Sequence, residues 1–224
     1  MNRLNRIKLL IGNDSVKKLQ KSTVMVFGCG AVGSFAVESL ARSGIGHLIL
    51  VDFDKVEESN INRQIFALDS TVDMPKVEVA KKRIADINPG VKVDVFNIFF
   101  DENINLDVKP DYVIDAIDTV NSKIAIYKWC DENDIPFISS MGAARKTDLT
   151  KVKIGKISKT TVCPLAAKIR RIVRDLNIKD FPVVYSTETA TPQLNGGREF
   201  GSIITVTGFF GLMLADFVIK KLIS

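Results

Sequence analysis

The chain has 224 residues, 46% hydrophobic and 25% charged, which excludes a disordered or collagen-like protein and suffices for one domain with a full core. Three widely spaced cysteines (Cys29, Cys130, Cys163), with no C-x-x-C pair, argue against a disulfide framework and a cysteine zinc site, and fit a reducing cytoplasm. The net charge of +5 is uneven: residues 145–181 hold eleven Lys/Arg against three Asp/Glu. A polyanion-binding surface would show this asymmetry, and so would a solvated basic face.

The N-terminal MNRLNRIKLL has no apolar run of signal-peptide length. Residues 14–21 are amphipathic, with Asp14 or Ser15 placed to cap a short helix. Arg3 and Arg6, just before, read on their own context as surface arginines. Residues 24–27 form an apolar run suited to a buried strand, and Gly28, Gly30 and Gly33 follow in G-x-G-x-x-G spacing ahead of a helical segment, 31–42. A second apolar run begins at His47, the single histidine, and ends on Asp52, 19 residues beyond Gly33. In that context the first glycine permits a tight turn, the second lets backbone N–H groups approach phosphate, and the third lets helix and strand pack closely. The helix N-terminus would face the anion, with the acid accepting from a ribose hydroxyl.

Beyond Asp52 come Asp54 and Glu57, and then a polar turn or cap, 59–63, carrying Arg63. A helix over 76–87 starts at Lys76, where a cation opposes the helix dipole. A bound phosphate would relieve that conflict; a solvent-exposed lysine is the plain alternative. A third strand spans 91–96, residues 97–109 form a loop with a turn of helix, and a short strand at 112–114 leads into Asp115 and Asp118. A helix follows over 120–132. Asp118, just past a strand's carboxyl end, is placed to meet phosphates through Mg²⁺, whereas Asp115 suits a structural cap.

A fifth strand occupies 136–140. Strands and helices that alternate through short loops predict an α/β, Rossmann-like, doubly wound and mainly parallel sheet. The strict alternation of 151–157 adds a half-exposed, antiparallel strand to the C-terminal extension. Residues 164–176 read as a basic helix with Ile169, Ile172 and Val173 on one face. Another strand spans 183–186, and 187–198 form a polar loop with Asn195-Gly196-Gly197 at its tip. The apolar stretch 202–223 is interrupted by Asp216 and reads as a helix buried on the sheet or at a dimer interface, without stable membrane insertion. Peripheral membrane contact through this helix stays open. The chain is expected to be one domain, 1–224, with a nucleotide-binding core over 1–140 and a C-terminal part, 141–224, for substrate and dimerisation.

A phosphate turn, a ribose acid, two cations and a carboxylate suited to Mg²⁺ fit a nucleoside triphosphate better than a dinucleotide. There is no G-x-x-x-x-G-K-[ST]. GCGAVGS, VDFDKVEESNINRQ, the Pro75-Lys76 helix start and DAIDTVNSK together resemble the ThiF/MoeB/HesA group, ubiquitin-activating-enzyme-like adenylyltransferases, over roughly residues 1–140. The string D-x-D-x-V-x-x-S-N-x-N-R-Q, residues 52–64, is far more specific than the glycine motif.

The resemblance implies ATP and Mg²⁺ as cofactors and AMP transfer to a carboxylate. It places Gly28, Gly30, Ala31 and Gly33 on the phosphate turn, Asp52 on the ribose, and Asp54 and Gln64 in the same nucleotide site. Asn60, Arg63 and Lys76 would contact phosphates, and Asp118 would ligate the metal. Arg3-Leu4-Asn5-Arg6 resembles the family's R-Y-x-R, whose second arginine reaches ATP across a homodimer interface. Arg6 thus joins Arg63, Lys76 and Asp118 in the implied catalytic set.

Members acting on sulfur-carrier or ubiquitin-like proteins commonly hold zinc on two C-x-x-C pairs, which this chain lacks. Its C-terminal third instead resembles, at 164–168, 185–188 and the final Gly/Phe-rich helix, a branch that dehydrates threonylcarbamoyladenosine at tRNA position 37. That implies tRNA as partner, with Lys168, Arg170, Arg171 and Arg174 on the basic helix as candidate contacts, and adenylation followed by cyclisation. A sulfur-transfer protein is a further candidate partner. Three other readings stay open: activation of a carrier protein's C-terminus, a non-catalytic nucleotide-binding module, and a covalent role for Cys163 at a helix start.

Overall fold

The computed structural model describes residues 3–192 and 200–224. Its sheet has seven strands: β1 (Thr23–Phe27), β2 (His47–Val51), β3 (Lys92–Phe96), β4 (Tyr112–Asp115), β5 (Phe137–Ser140), β6 (Val152–Lys156) and β7 (Pro182–Ser186). They lie in the order β3-β2-β1-β4-β5-β7-β6, parallel throughout except for the β6–β7 pair. The expected doubly wound, mainly parallel architecture with an antiparallel C-terminal strand is present. Strand order reverses between β1 and β4, which opens a crevice at their carboxyl ends, where open α/β sheets take ligands.

Among the described residues seven α-helices accompany the sheet: α1 (Asn5–Ile11), α2 (Asn13–Lys21), α3 (Gly33–Ser43), α4 (Lys76–Ile87), α5 (Val120–Glu132), α6 (Pro164–Asp175) and α7 (Ile204–Ile223). Alternate residues of the central strands feed opposite faces. Val24, Val26, Leu48 and Leu50 pack with residues of α3, α4 and α7, while Met25, Phe27, Ile49 and Val51 pack with residues of α5 and α6. Both faces being covered, β1 and β2 read as continuous apolar runs. Each fully buried leucine or valine contributes about 1.5–3 kcal/mol against remaining exposed.

Three expectations need correcting. Residues before β1 form two helices rather than one, and Gly12 stands at the junction where Asp14 or Ser15 was expected to cap. The 97–109 segment has a hydrogen-bonded turn but no helix. In β6 only Val152 is buried, and the other alternating positions are at least partly exposed because the strand lies at the sheet edge. The predicted loop tip, residues 195–197, lies outside the described residues.

The C-terminal helix packs as expected against the fold. At Gly211 a Cβ would fall 2.2 Å from the carbonyl oxygen of Val32 and 2.8 Å from Cβ of Phe35, so α7 lies directly on the start of α3. Among the described residues, no helix is long and apolar enough to cross a membrane.

Candidate nucleotide site

The glycine turn joins β1 to α3 at the crevice. Gly28 has φ +90°, and a Cβ there would meet the carbonyl oxygen of Ala116 at 2.8 Å. A Cβ on Gly33 would stand 1.7 Å from the carbonyl oxygen of Gly28, so the helix can approach the turn only without a side chain. Gly30 is different: its nearest neighbour would be the Gln64 amide, at 3.8 Å. That open space beside backbone N–H groups is what a phosphate needs. Ala31, in the same turn, is partly exposed.

Asp52 links the turn to the end of β2. Its Oδ2 accepts the Cys29 N–H at 2.6 Å, and its Oδ1 accepts the Asp54 N–H at 2.9 Å. Burial pushes its carboxyl above the ordinary range, while those two N–H donors and the Lys76 charge pull it back. The Cys29 thiol, raised well above its usual range by burial and then by Asp52, stays neutral inside the turn. A thiolate there would repel phosphate.

Lys76 is a correction to the simplest reading of its position. Only 7% of its side chain is exposed, and Nζ donates to Oδ2 of Asp54 at 2.7 Å. The loop after β2 folds back on itself, Val56 N–H to Met74 C=O and Asp73 N–H to Val56 C=O, both at 2.9 Å. This return brings the start of α4 beside Asp54, whose carboxylate relieves the clash between a lysine and the helix dipole.

The polar segment 59–63 includes part of a 3-10 turn, Glu58–Asn60. Asn60 is buried, and its Oδ1 accepts the Glu57 N–H at 3.3 Å. Arg63 Nη1 donates to the Ser59 carbonyl at 2.6 Å and to Asn62 Oδ1 at 2.7 Å. The segment is fastened to the glycine helix, since Ser34 Oγ accepts the Ile65 N–H at 3.3 Å. From the other flank, Asn62 Nδ2 donates to the Ser202 carbonyl at 3.3 Å, tying it to the approach to α7.

Asp118 follows β4 and is exposed, with Thr119 Oγ1 at 3.5 Å. Among the described residues, no group of three or more His, Cys, Asp or Glu is arranged to hold a metal. Asp115, expected as a cap, does accept the Ile117 N–H at 3.2 Å, but it is fully buried and ion-paired with Lys123 at 2.7 Å. Nothing in the local pattern of DAIDTVNSK signals that this lysine turns inward.

Sequence reading also missed an aromatic pair. Phe53 and Phe99, 53% and 45% exposed, meet edge to face at 5.0 Å just beyond β2 and β3. Phe53, directly after the ribose-type acid, and Phe99, just past the third strand, were the available signal.

One arginine is not brought into this site. Leu4 packs on Gly44 and Arg3 donates to the Ile87 carbonyl, so α1 begins at the C-terminal ends of α3 and α4, by the amino ends of the strands and away from the crevice. Arg6 is exposed there.

On α6, Lys168, Arg171 and Arg174 are exposed in one i, i+3, i+6 stripe opposite Ala166, Ile169 and Val173. Arg170 differs from them. Its Nη1 is engaged by the Thr160 carbonyl at 2.8 Å and Oγ1 at 2.7 Å, which makes it a brace for the preceding loop. Cys163, at the start of α6, is 3% exposed. Its sulfur packs beside Gly142, where a Cβ would rest at 3.5 Å in ordinary contact, and it is the burial of the thiol that closes it to an approaching substrate.

A glycine turn, a ribose-type acid and an ion-paired lysine at a topological switch point define an α/β nucleotide-binding protein. The chain belongs to the ThiF family, which it matches over residues 2–224. It is 48% identical over 193 residues to the tRNA threonylcarbamoyladenosine dehydratase of Bacillus subtilis (strain 168), covering 84% of this chain and 76% of that protein. Crystal structures of the E. coli tRNA N6-threonylcarbamoyladenosine dehydratase in complex with AMP and with ATP superpose with TM-scores of 0.92 and 0.91. Both are at 36% identity and cover 98% of this chain and 93% of theirs.

Proposed function

We propose that this protein is an ATP-dependent tRNA threonylcarbamoyladenosine dehydratase. It transfers AMP from ATP to the carboxylate of the threonylcarbamoyl group, and the activated base then closes on itself with net loss of water. The observation that carries the reading is the glycine turn itself: the Asp52 carboxylate accepts the Cys29 N–H, the Lys76 ammonium lies near enough to act on that carboxylate, and the 115–119 turn that bears Asp118 lies against Gly28. Similarity to dehydratases along nearly the whole chain supports the choice of acceptor.

ATP lies with its phosphates on the N–H groups of 28–33 and its ribose on Asp52. Phe53 and Phe99 offer an apolar face for the adenine. A carboxylate oxygen of the substrate attacks the α-phosphorus and pyrophosphate leaves. Lys76 and Arg63 hold the charge that builds on the departing phosphates, with Asn60 and Gln64 completing the polar wall. Mg²⁺, when bound, neutralises phosphate charge, and Asp118 fits it because magnesium needs only one or two carboxylates beside phosphate oxygens. The carbamoyl oxygen or nitrogen, already tethered beside the acyl carbon, then attacks it, a carbamoyl N–H proton is lost, and AMP leaves. No protein nucleophile is required, in keeping with the burial of Cys163.

Arg6 reaches a nucleotide only from a second copy of the chain, because its own site lies across the sheet; a homodimer follows from that role. The stripe Lys168, Arg171 and Arg174 contacts tRNA phosphates. A sulfur-transfer partner has no such anchor in the fold and is left as a candidate from the family resemblance alone.

The test is incubation of tRNA carrying threonylcarbamoyladenosine with the protein, ATP and Mg²⁺, followed by mass spectrometry of the nucleosides. The expected result is loss of one water from the modified nucleoside, one AMP formed per event, and neither with Asp118→Ala. ATP turnover driven by a small carrier protein and not by tRNA would replace this reading with carrier activation.

A further inference from the structure

Beneath the site lies a polar cluster that no step of the proposed reaction touches. Lys123 and Asp115 are both 0% exposed in their side chains. The lysine spends all three ammonium protons, on Asp115 Oδ2 at 2.7 Å, the Ser140 carbonyl at 2.8 Å and Ser139 Oγ at 3.2 Å. Oδ2 of Asp115 also accepts from Ser139 Oγ at 2.5 Å and from the Tyr127 hydroxyl at 2.9 Å. Stability alone does not explain such a pair, since well-packed apolar residues of similar volume are commonly as stabilising as a buried ion pair.

Its connections point to the nucleotide site. Asp115 ends β4, and its free Oδ1 closes the following turn on the Ile117 N–H. Ala116, inside that turn, donates its N–H to the Phe27 carbonyl at 2.8 Å and lies against the positions of Gly28 and Gly33. Asp118 comes next. Lys123 then ties off the far end, its N–H donating to the Thr119 carbonyl at 3.0 Å while its ammonium returns to Asp115. Residues 115–119 are thus held at both ends by one ion pair, with the glycine turn on one side and the exposed Asp118 on the other.

We infer that Asp115 and Lys123 are positioning residues that fix the 115–119 turn, and through it the place of Asp118 relative to the glycine turn. This inference rests on the proposed adenylation site and assigns a task to a buried pair the reaction itself leaves unused. The pair rigidifies the turn because a buried charge cannot leave its partner without a large cost, so a shift of the turn would have to break the whole cluster.

The charge-neutral, near-isosteric double variant Asp115→Asn/Lys123→Met tests it with three readouts: melting temperature, AMP affinity, and adenylation rate against Mg²⁺ concentration. The expected variant is folded and binds AMP, which needs no metal, about as tightly as wild type. Its kcat falls about 100-fold, the scale for a displacement near 1 Å, and half-maximal activity needs more Mg²⁺. Tyr127→Phe, which removes one donor to Asp115 without stranding a charge, shows the same pattern more weakly, and it decides the matter if the double variant does not fold. Wild-type kcat and Mg²⁺ dependence in a folded variant would reduce the pair to a structural role. A wild-type protein that binds no AMP would bring down the site reading itself, and this inference with it.

Discussion

The Lys76 ammonium donates to the Asp54 carboxylate at 2.7 Å, and the Lys76 N–H donates to the Asp54 carbonyl at 3.0 Å. One residue therefore orients the lysine through both its backbone and its side chain, before any nucleotide arrives. Preorganised charge of this kind stabilises a transition state without reorganising during the reaction.

Lys76→Met is accordingly expected to fold, because Asp54 is 45% exposed and water can take over its carboxylate. Adenylation, followed by pyrophosphate–ATP exchange, should fall roughly 100- to 1000-fold, the usual cost of removing one such donor. Asp54→Asn, which keeps the shape and loses the charge, should fall less.

Gly33→Ala places a methyl group 1.7 Å from the Gly28 carbonyl oxygen, where neither backbone can yield. Destabilisation of at least about 1–3 kcal/mol is expected, read as a lower urea midpoint, together with loss of ATP binding. Gly30→Ala has room and should keep the stability of the parent while weakening phosphate binding.

Binding of tRNA should depend steeply on salt. Charge reversal at Lys168, Arg171 and Arg174 is expected to weaken it uniformly across tRNA sequences and to lower the salt slope by about one for each phosphate released. Arg170→Glu should instead destabilise the fold, since its guanidinium braces Thr160. Unaltered affinity in the triple variant would remove α6 from the interface.

Glu38 on α3 is held by Arg83 of α4 at 2.6 Å and by Arg42 at 2.7 Å. Burial opposes its ionisation, but hydrogen bonds from Arg83 and then Arg42 outweigh it and hold the carboxyl below the ordinary range. A depressed carboxyl contributes stability above its unfolded pKa and loses it as pH falls through the folded value. Glu38→Gln should therefore lower the melting temperature at neutral pH, and the gap from wild type should close in acid.

Cys163→Ser should leave dehydration intact, because the sulfur is buried against Gly142 and the tethered carbamoyl group supplies the second nucleophile. A folded but inactive serine variant would restore the covalent route.

Wherever local chemistry decides, the residues could be read directly. The glycine turn, the strand ends and the spans of α4 and α5 follow from apolar runs, periodicity and the steric demands of a turn. The Asp52–Gln64 string pointed to adenylation through its resemblance to the family's motif, which is legible because its donors and acid are close in sequence. The fold-back that buries Lys76 and the second N-terminal helix were not legible, since each depends on a partner far away in the chain, and the Arg170 brace was not, since it depends on how the loop before α6 folds.

The sequence by itself determined a doubly wound, nucleotide-binding α/β chain, because strand length, helix period and backbone freedom at glycine are local properties; its motifs added the resemblance to this family. Only the tertiary structure decided which charges stay exposed at the crevice and which face the core. In DAIDTVNSK the sequence separates Asp118 from a capping Asp115, yet only the structure shows Asp115 sealed against Lys123 while Asp118 is exposed. Burial is set by what packs above a residue, and α5, β5 and the glycine turn meet there only once the sheet has formed.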